Sequence, residues 1–441
     1  MTINIDLKAT QNSYYVASAN EQPQYPTLES DIDVDVCVVG GGFAGLSSAI
    51  ELADRGYKVV VLEANHIGFG ASGRNGGQII AGLACEIDVI EKALGFDAAK
   101  QVWNMTLEAL DLVRERVKRF DISCDLTDGF LGVSVNEKKG KSLRHWFDDM
   151  AKRYGYDADA TWIEPAYLKK WIASPRYFNG YYDKRSGHLH PLNYCLGLAK
   201  GAASLGVQIF THSAVTQMQQ GETVKLQTET GSINAKFVVL AGNIYLPEIA
   251  PELAPALAKR IMPVGTYIIG TAPIDATLAA KLIPSNCAVC DSNVVLDYFR
   301  FSAQNKTEEP RMIYGGRVSY SARTPRNLTA KMQARMAETF PQLKDTKVEY
   351  TWGGYVDISM NRAPDFGRIA PNIYYLQGFS GHGVALTGLS GKLVAEAISG
   401  QAERLDLISK IKHYDFPGGK LLRTPALVLG MAWYQLRDKF G

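Results

Sequence analysis

The sequence predicts an α/β protein in which a parallel, doubly wound sheet of the dinucleotide-binding kind is interleaved with an α+β unit built on antiparallel sheet. Three observations carry that prediction. Residues 34–63 read as strand, glycine-rich turn, helix, strand and acid. From about residue 97 the texture changes to alternating strands and long amphipathic helices. Late in the chain a buried run, 373–376, enters a second glycine-dense block, GFSGHGVALTGLSG, from Gly378 to Gly391.

Residues 34–39 (VDVCVV) suit one buried strand and run directly into Gly40, Gly42 and Gly45 of GGGFAG. That spacing is GxGxxG between strand and helix. One glycine makes the tight turn, one lets backbone N–H groups approach a pyrophosphate at the helix N-terminus, and one lets the helix meet the strand. Small and apolar residues over 46–55 predict the helix, Gly56 stops it, and KVVVL at 58–62 is the second strand. Glu63 closes that strand 18 positions after Gly45, where a carboxylate accepts from a ribose diol and repels a 2′-phosphate. An unmodified adenosine ribose is expected, with NAD and FAD both open on these residues alone. A purely structural turn is the competing reading, and the flanking strand, helix and acid count against it.

Residues 1–29 are polar, with Tyr14 and Tyr15, and read as an arm laid over the body. IGFGASGRNGGQ at 67–78 has five glycines and little to bury, so it can follow the surface of a bound cofactor. Apolar residues at helical spacing predict a helix over 97–119, GFLGVSV at 129–135 alternates as a strand, and 144–154 returns to helix. A helix over 191–205, a strand at 207–210 and the strand FVVL at 237–240, ending in Ala241 and Gly242, follow. Strand-like pieces recur at 267–270, 296–301 and 312–318, and one helix, 328–340, carries Leu328, Met332 and Met336 on a core-facing side. The chain is expected to return to the first unit near Gly353, and the glycine block to lead into a helix over 392–398. The nucleotide domain is thus assigned residues 30–96, 183–247 and 353–415, the substrate domain 97–182 and 248–352, and the tail 416–441. Leu427, Val428, Leu429, Met431 and Trp433 in that tail predict a helix packed on the body or at a subunit contact.

A chain of 441 residues supports two domains with large cores. Lys plus Arg at 47 against Asp plus Glu at 45 leaves a net charge of +2, which gives no ground for a nucleic-acid or acidic-membrane partner. Six scattered cysteines show no disulfide framework and fit a reducing compartment. Cys287 and Cys290 form a CxxC without a second pair or nearby histidine, so no metal is assigned. The first 33 residues lack a basic region followed by an apolar one, and no apolar run reaches about 18 residues, so the cytoplasm is the expected compartment.

The blocks DVCVVGGGFAGLSSAIELADRGYKVVVLEA, GASGRNGGQ and GFSGHGV resemble those of the D-amino-acid-oxidase-like flavoproteins, which include glycine and sarcosine oxidases. Within that family the chain is similar to gamma-glutamylputrescine oxidoreductases, through SYYVASAN near the start, GHLHPLNYCLGLAKGA from Gly187, LDYFRFSA from Leu296 and LLRTPALVLGMAWYQLRD in the tail. The resemblance implies a glutathione-reductase-like FAD domain. It puts Gly40, Gly42, Phe43, Ala44 and Gly45 on the pyrophosphate and Glu63 and Ala64 on the ribose. Ala71, Ser72, Arg74, Asn75, Gly76, Gly77 and Gln78 would lie near the flavin. Val215 would meet the adenine, Ala241 and Gly242 the pyrophosphate region, and Gly378, Ser380, Gly381, His382, Gly383 and Val384 the ring and ribityl chain. Sarcosine oxidases of the family attach flavin to a cysteine that has no counterpart in 357–367, so FAD is expected to be noncovalent. Their oxygen-activating lysine matches the strand 312–317, where Gly315 and Gly316 stand, which leaves a dehydrogenase with another acceptor open beside an oxidase.

What the resemblance implies is oxidation of an amine by hydride transfer to flavin N5, giving an imine that hydrolyses to an aldehyde. The substrate is read as gamma-glutamylputrescine or a related amine, with oxygen or another acceptor taking the electrons. His382 beside the flavin, and Tyr267, Tyr298, Arg300 and Trp352, are the pocket candidates: aromatic walls for a polymethylene or cationic chain and an arginine for a carboxylate. His188 and His190 are read as shaping a loop. Two alternatives stand beside this reading. One is an oxidoreductase of sarcosine, proline or pipecolate; the other is a nucleotide-binding protein without catalysis.

Overall fold

Val36 and Val38 point into one hydrophobic core and Cys37 and Val39 into another, so the first strand is covered on both faces, as its unbroken β-branched run requires. The computed structural model describes residues 12–293, 295–302, 309–319 and 325–417. In it two sheets share one α/β body. The main path of the first, eight-stranded sheet, to which Gln217–Gln219 and Val224–Gln227 add an antiparallel branch, is made of β1 (Asp31–Val39), β2 (Val59–Leu62), β3 (Gln208–Phe210), β4 (Ser232–Leu240), β5 (Asp365–Ala370) and β6 (Ile373–Gln377). Their order is β5-β6-β4-β1-β2-β3, parallel from β6 to β3, with β5 antiparallel at the edge. Only the last four residues of β4 look like a strand in sequence. Its polar half is held by register, Asp31 against Ser232 through Val39 against Leu240.

Five helices matter for the site: α1 (Phe43–Asp54), α2 (Phe96–Arg119), α3 (Glu137–Tyr154), α4 (Pro191–Ser204) and α5 (Gly383–Ile398). The sequence places the last helix at 392, yet it begins nine residues earlier, at Gly383. Its glycines serve packing: a Cβ at Gly391 would come within 2.5 Å of Ser48 N, so α5 lies backbone to backbone against α1. α2 packs on α5 and sends Val102, Leu110 and Val113 into the core shared with α1. Arg116 of α2, buried there, donates to Ser47 Oγ at 2.7 Å and Glu51 Oε1 at 3.0 Å. α3 begins at Glu137 rather than 144 because the Asn136 side chain caps it, accepting from Lys139 N–H.

The second sheet runs in the order Val348–Ser359, Ile261–Thr271, Met312–Ser319, Tyr298–Phe301, Ala288–Asp291, Thr127–Val133, Gly180–His188, Gln78–Ile79. Its neighbours are antiparallel except at Ala288–Asp291 beside Thr127–Val133, which is a parallel junction that the sequence did not signal. Gly353, the expected point of return, lies inside the strand Val348–Ser359. Beneath this sheet Phe299 stacks on Tyr314 with centroids 5.3 Å apart, and Leu328, Met332 and Met336 close the core as their spacing predicted. Tyr14 and Tyr15 of the N-terminal arm are buried, Tyr15 edge-on to Trp352 at 5.1 Å. The expected tail helix lies outside the described residues. Among the described residues no helix is long and apolar enough to cross a membrane.

Candidate functional site

Four neighbouring parallel strands end side by side, and the residues that follow them form one cleft. Gly40 follows β1, Glu63 follows β2, Ala241 and Gly242 follow β4, and Gly378 follows β6. Ladder bonds lock the edge: Gly40 N–H to Leu62 O at 2.8 Å, Ala241 N–H to Val39 O at 2.8 Å and Glu63 N–H to Phe210 O at 2.9 Å. This is the carboxyl edge of an open parallel sheet, where the fold presents backbone to ligands. The cleft is lined by Gly40, Gly42, Phe43, Ala44, Glu63, Ala64, Ala71, Ser72, Asn75, Val215, Ala241, Gly242, Gly381, Gly383 and Val384, all singled out from the sequence.

The residues fit a dinucleotide. A Cβ at Gly40 would stand 2.6 Å from Ala241 O, so only backbone occupies the turn, and one at Gly45 would collide with Gly40 O. Gly42, the residue before α1, supplies no side-chain cap, and although Ser72 Oγ takes the Phe43 N–H, the positive end of the helix still faces the cleft for a phosphate. Glu63 accepts from Gly41 N–H at 2.6 Å and Asn65 N–H at 2.8 Å, and a carboxylate keeps lone pairs beyond those two for a diol. Burial raises the Glu63 carboxyl, and those same N–H groups oppose the shift. Val215, Leu246 and Ile249 give the cleft an apolar end suited to a base.

The loop at 70–78 forms the wall between the two sheets, and it is braced from several sides. Ser72 Oγ accepts from Phe43 N–H at 3.0 Å. Asn75 donates to Ala71 O and Ser72 O and accepts from Gly77 N–H at 2.7 Å. Gln78 reaches Val289 O at 3.0 Å in the second sheet, and the Arg74 guanidinium lies over the Phe69 ring at 4.6 Å. Three of the residues expected to hold substrate brace this loop instead of lining either cavity. Trp352 Nε1 donates to Arg74 O at 3.1 Å, and Tyr298 packs on Gly76. Arg300, 2% exposed, donates to Gly76 O, Leu189 O, Phe301 O and Tyr15 Oη. Tyr298 and Arg300 alternate on one strand and so share a face, which spacing alone could not aim. Tyr267 lies on the far side, in the core under the second sheet with Ile269.

Behind the loop is a second cavity of about 560 Å³. His382 lines it from the turn before α5, and its chain neighbours Gly381 and Gly383 line the first cleft, so this residue stands between the two cavities. His382 Nε2 is 3.2 Å from both Ile80 O and Ala81 O. Two acceptors require the proton on Nε2, and burial lowers the ring's proton affinity, so it is neutral with a lone pair on Nδ1. Phe130, Trp146, Tyr156 and Tyr181 wall the cavity, residues which the sequence reading assigned to a substrate domain without singling them out. Also missed was Asp357, which lines the first cleft, accepts from Gly378 N–H and Phe379 N–H, and is raised to about 6 by burial. Gly378 and Ser380 lie behind that cleft, with Ser380 Oγ 3.2 Å from Ser359 N. His188 and His190 have structural partners: His188 meets Asn286 O at 2.8 Å, and His190 Nδ1 caps α4 by accepting from Asn193 N–H. Among the described residues no cluster suits a metal ion, and the Cys287 and Cys290 thiols are both raised by burial.

A family model described as FAD dependent oxidoreductase matches residues 35–397. The chain is 44% identical over 430 residues to gamma-glutamylputrescine oxidoreductase of Escherichia coli (strain K12), covering 98% of this chain and 99% of that one. It is 40% identical to the probable oxidoreductase OrdL of Haemophilus influenzae, covering 99% and 100%. Among solved structures, glycine oxidase from Geobacillus kaustophilus superposes with a TM-score of 0.70 at 18% identity, over 84% of this chain and 95% of that one. L-proline dehydrogenase from P. horikoshii does so at 0.70 and 21% identity, over 87% and 96%. With the dinucleotide cleft at the sheet's carboxyl edge and these matches along nearly its full length, the chain belongs to the DAO family of FAD-dependent oxidoreductases.

Proposed function

We propose that this protein oxidises the terminal amine of gamma-glutamylputrescine or a closely related acylated diamine to an imine, which water converts to an aldehyde. The observation that carries the reading is the 560 Å³ aromatic cavity separated from the cofactor cleft by His382. Such a volume is within the roughly 300–1,000 Å³ of ligand sites and exceeds what glycine or sarcosine fills. FAD, when bound, supplies the hydride acceptor, and the protein supplies position and environment. An alkyl ammonium must lose its proton first, at a cost of roughly 3–5 kcal/mol near pH 7. Rings of Phe130, Trp146 and Tyr181 desolvate the amine and lower that cost. His382, neutral, neither attracts nor repels the ammonium by net charge. Glu86, the carboxylate in the lining, is exposed, so it greets an incoming cation from the solvent side.

The residues at 40–45, 63–64, 71–78, 215, 241–242 and 378–384 hold the FAD in this account. Attachment is noncovalent: 357–367 has no cysteine, and none lines the cleft among the described residues. Oxygen or another acceptor takes the electrons. The test is anaerobic bleaching of the yellow protein across acylated diamines, free polyamines and N-methyl amino acids. Fast stoichiometric bleaching by acylated diamines is expected. Bleaching by sarcosine or proline alone would move the assignment to cyclic or secondary amino acids, and no bleaching by any amine would refute it.

A further inference from the structure

Two polar anchors of the second cavity, His382 and Lys139, lie on separate strand rows, and those rows give the distance between them. His382 is held by Ile80 O and Ala81 O, and Ala81 N–H bonds Ser186 Oγ, next to Gly187, which pairs with Asp128. At the other place Lys139 Nζ donates to Asn293 Oδ1 at 2.9 Å, and Asn293 lies just beyond Asp291, which pairs with Val133. Asp128 to Val133 spans five steps of one strand, roughly 16–17 Å at about 3.3 Å each. Between them the walls are rings: Trp146 and Tyr181 have centroids 5.3 Å apart, and Trp103 and Tyr156 5.4 Å.

Lys139 is held both at its backbone and at its ammonium. Its N–H bonds the Asn136 cap at 2.9 Å. Asn293, which receives its ammonium, is fixed by N–H and Nδ2 bonds of 3.0 and 2.9 Å to the two oxygens of Asp291. Among the described residues that line the cavity, Lys139 is the one lysine or arginine. An α-amino acid carries its carboxylate one bond from the oxidised carbon and leaves Lys139 out of reach. In a gamma-glutamyl diamine about nine bonds separate the two, the span of three extended residues or ~10 Å. Contact distances at each end close the rest of the gap.

We infer that Lys139 sets substrate choice by pairing with a carboxylate carried about nine bonds from the oxidised carbon, an assignment that rests on the amine-oxidation reading above. The test compares gamma-glutamylputrescine with N-acetylputrescine, which lacks the carboxylate, as substrates of wild-type, Lys139→Gln and Lys139→Arg holoenzyme. Lys139→Gln is expected to raise KM for the glutamyl amine about 10- to 100-fold, the range of a charge-assisted bond. Its kcat stays within about twofold, N-acetylputrescine is unaffected, and Lys139→Arg restores most of the loss. An equal effect on both amines, or none on the glutamyl amine, would overturn the role of Lys139 while leaving amine oxidation standing. If neither amine reduces the wild-type flavin, the reading beneath falls as well.

Discussion

Replacing Arg300 by methionine separates two accounts of that residue. By sequence it is a candidate to pair with a substrate carboxylate; in the fold its guanidinium is spent on Gly76 O, Leu189 O, Phe301 O and Tyr15 Oη. Methionine keeps much of the volume and removes every donor. Two buried carbonyls and a part-buried one then lose a charged partner, at about 1–3 kcal/mol apiece and least for the last, so a loss on the order of 4 kcal/mol is expected. With an unfolding entropy of about 2.1 cal/mol/K per residue over this length, the midpoint falls by roughly 4 °C. Because Gly76 belongs to the loop that walls the cofactor cleft, FAD affinity falls too. The assays are thermal unfolding of the apoprotein and fluorescence titration with FAD. A variant with unchanged stability and FAD affinity, but a raised KM confined to carboxylate-bearing amines, would refute the bracing role.

Other outcomes follow from the same geometry. Burial holds His190 near 3 against about 6.5 unfolded, so its contribution to stability is complete above pH 6.5 and is lost as pH falls through that value, by about 2 kcal/mol at pH 5. His190→Asn keeps an acceptor for the α4 cap, and denaturant titrations at pH 7 and 5 are expected to differ less for it than for wild type by about that amount; equal differences would contradict the assignment. Gly391→Val drives a side chain into Ser48 N and separates α1 from α5, so the variant is expected to be insoluble or colourless. Soluble, yellow variant protein would show that the helices are not in backbone contact. Acid precipitation is expected to release all FAD to the supernatant, and colour kept by the pellet would refute noncovalent binding.

What was legible in the sequence is what depends on neighbours in the chain. The strand, turn, helix and acid at 34–63 are a local signal, and the ends of β1, β2, β4 and β6 came to one edge because parallel strands in one sheet must end together. Faces and partners were not local. Trp352 and Arg300 were read as lining a pocket, yet pairing aims them at the 70–78 loop. Glycines at 383, 388 and 391 hid the start of α5, since their low helix propensity is offset by close packing, of Gly391 on Ser47 and Ser48 of α1 and of Gly388 on Leu112 and Arg116 of α2, that no single segment reveals. The aromatic cavity draws on residues from 80 to 296 plus His382, each ordinary in its own stretch.

The most direct test of the whole account is a crystal structure of the yellow protein. It is expected to show the FAD ribose on Glu63, the pyrophosphate at the start of α1, and the flavin ring beside Gly381–Val384 with one face open to the cavity at His382. A ring directed away from that cavity, or a cleft filled by side chains, would contradict it.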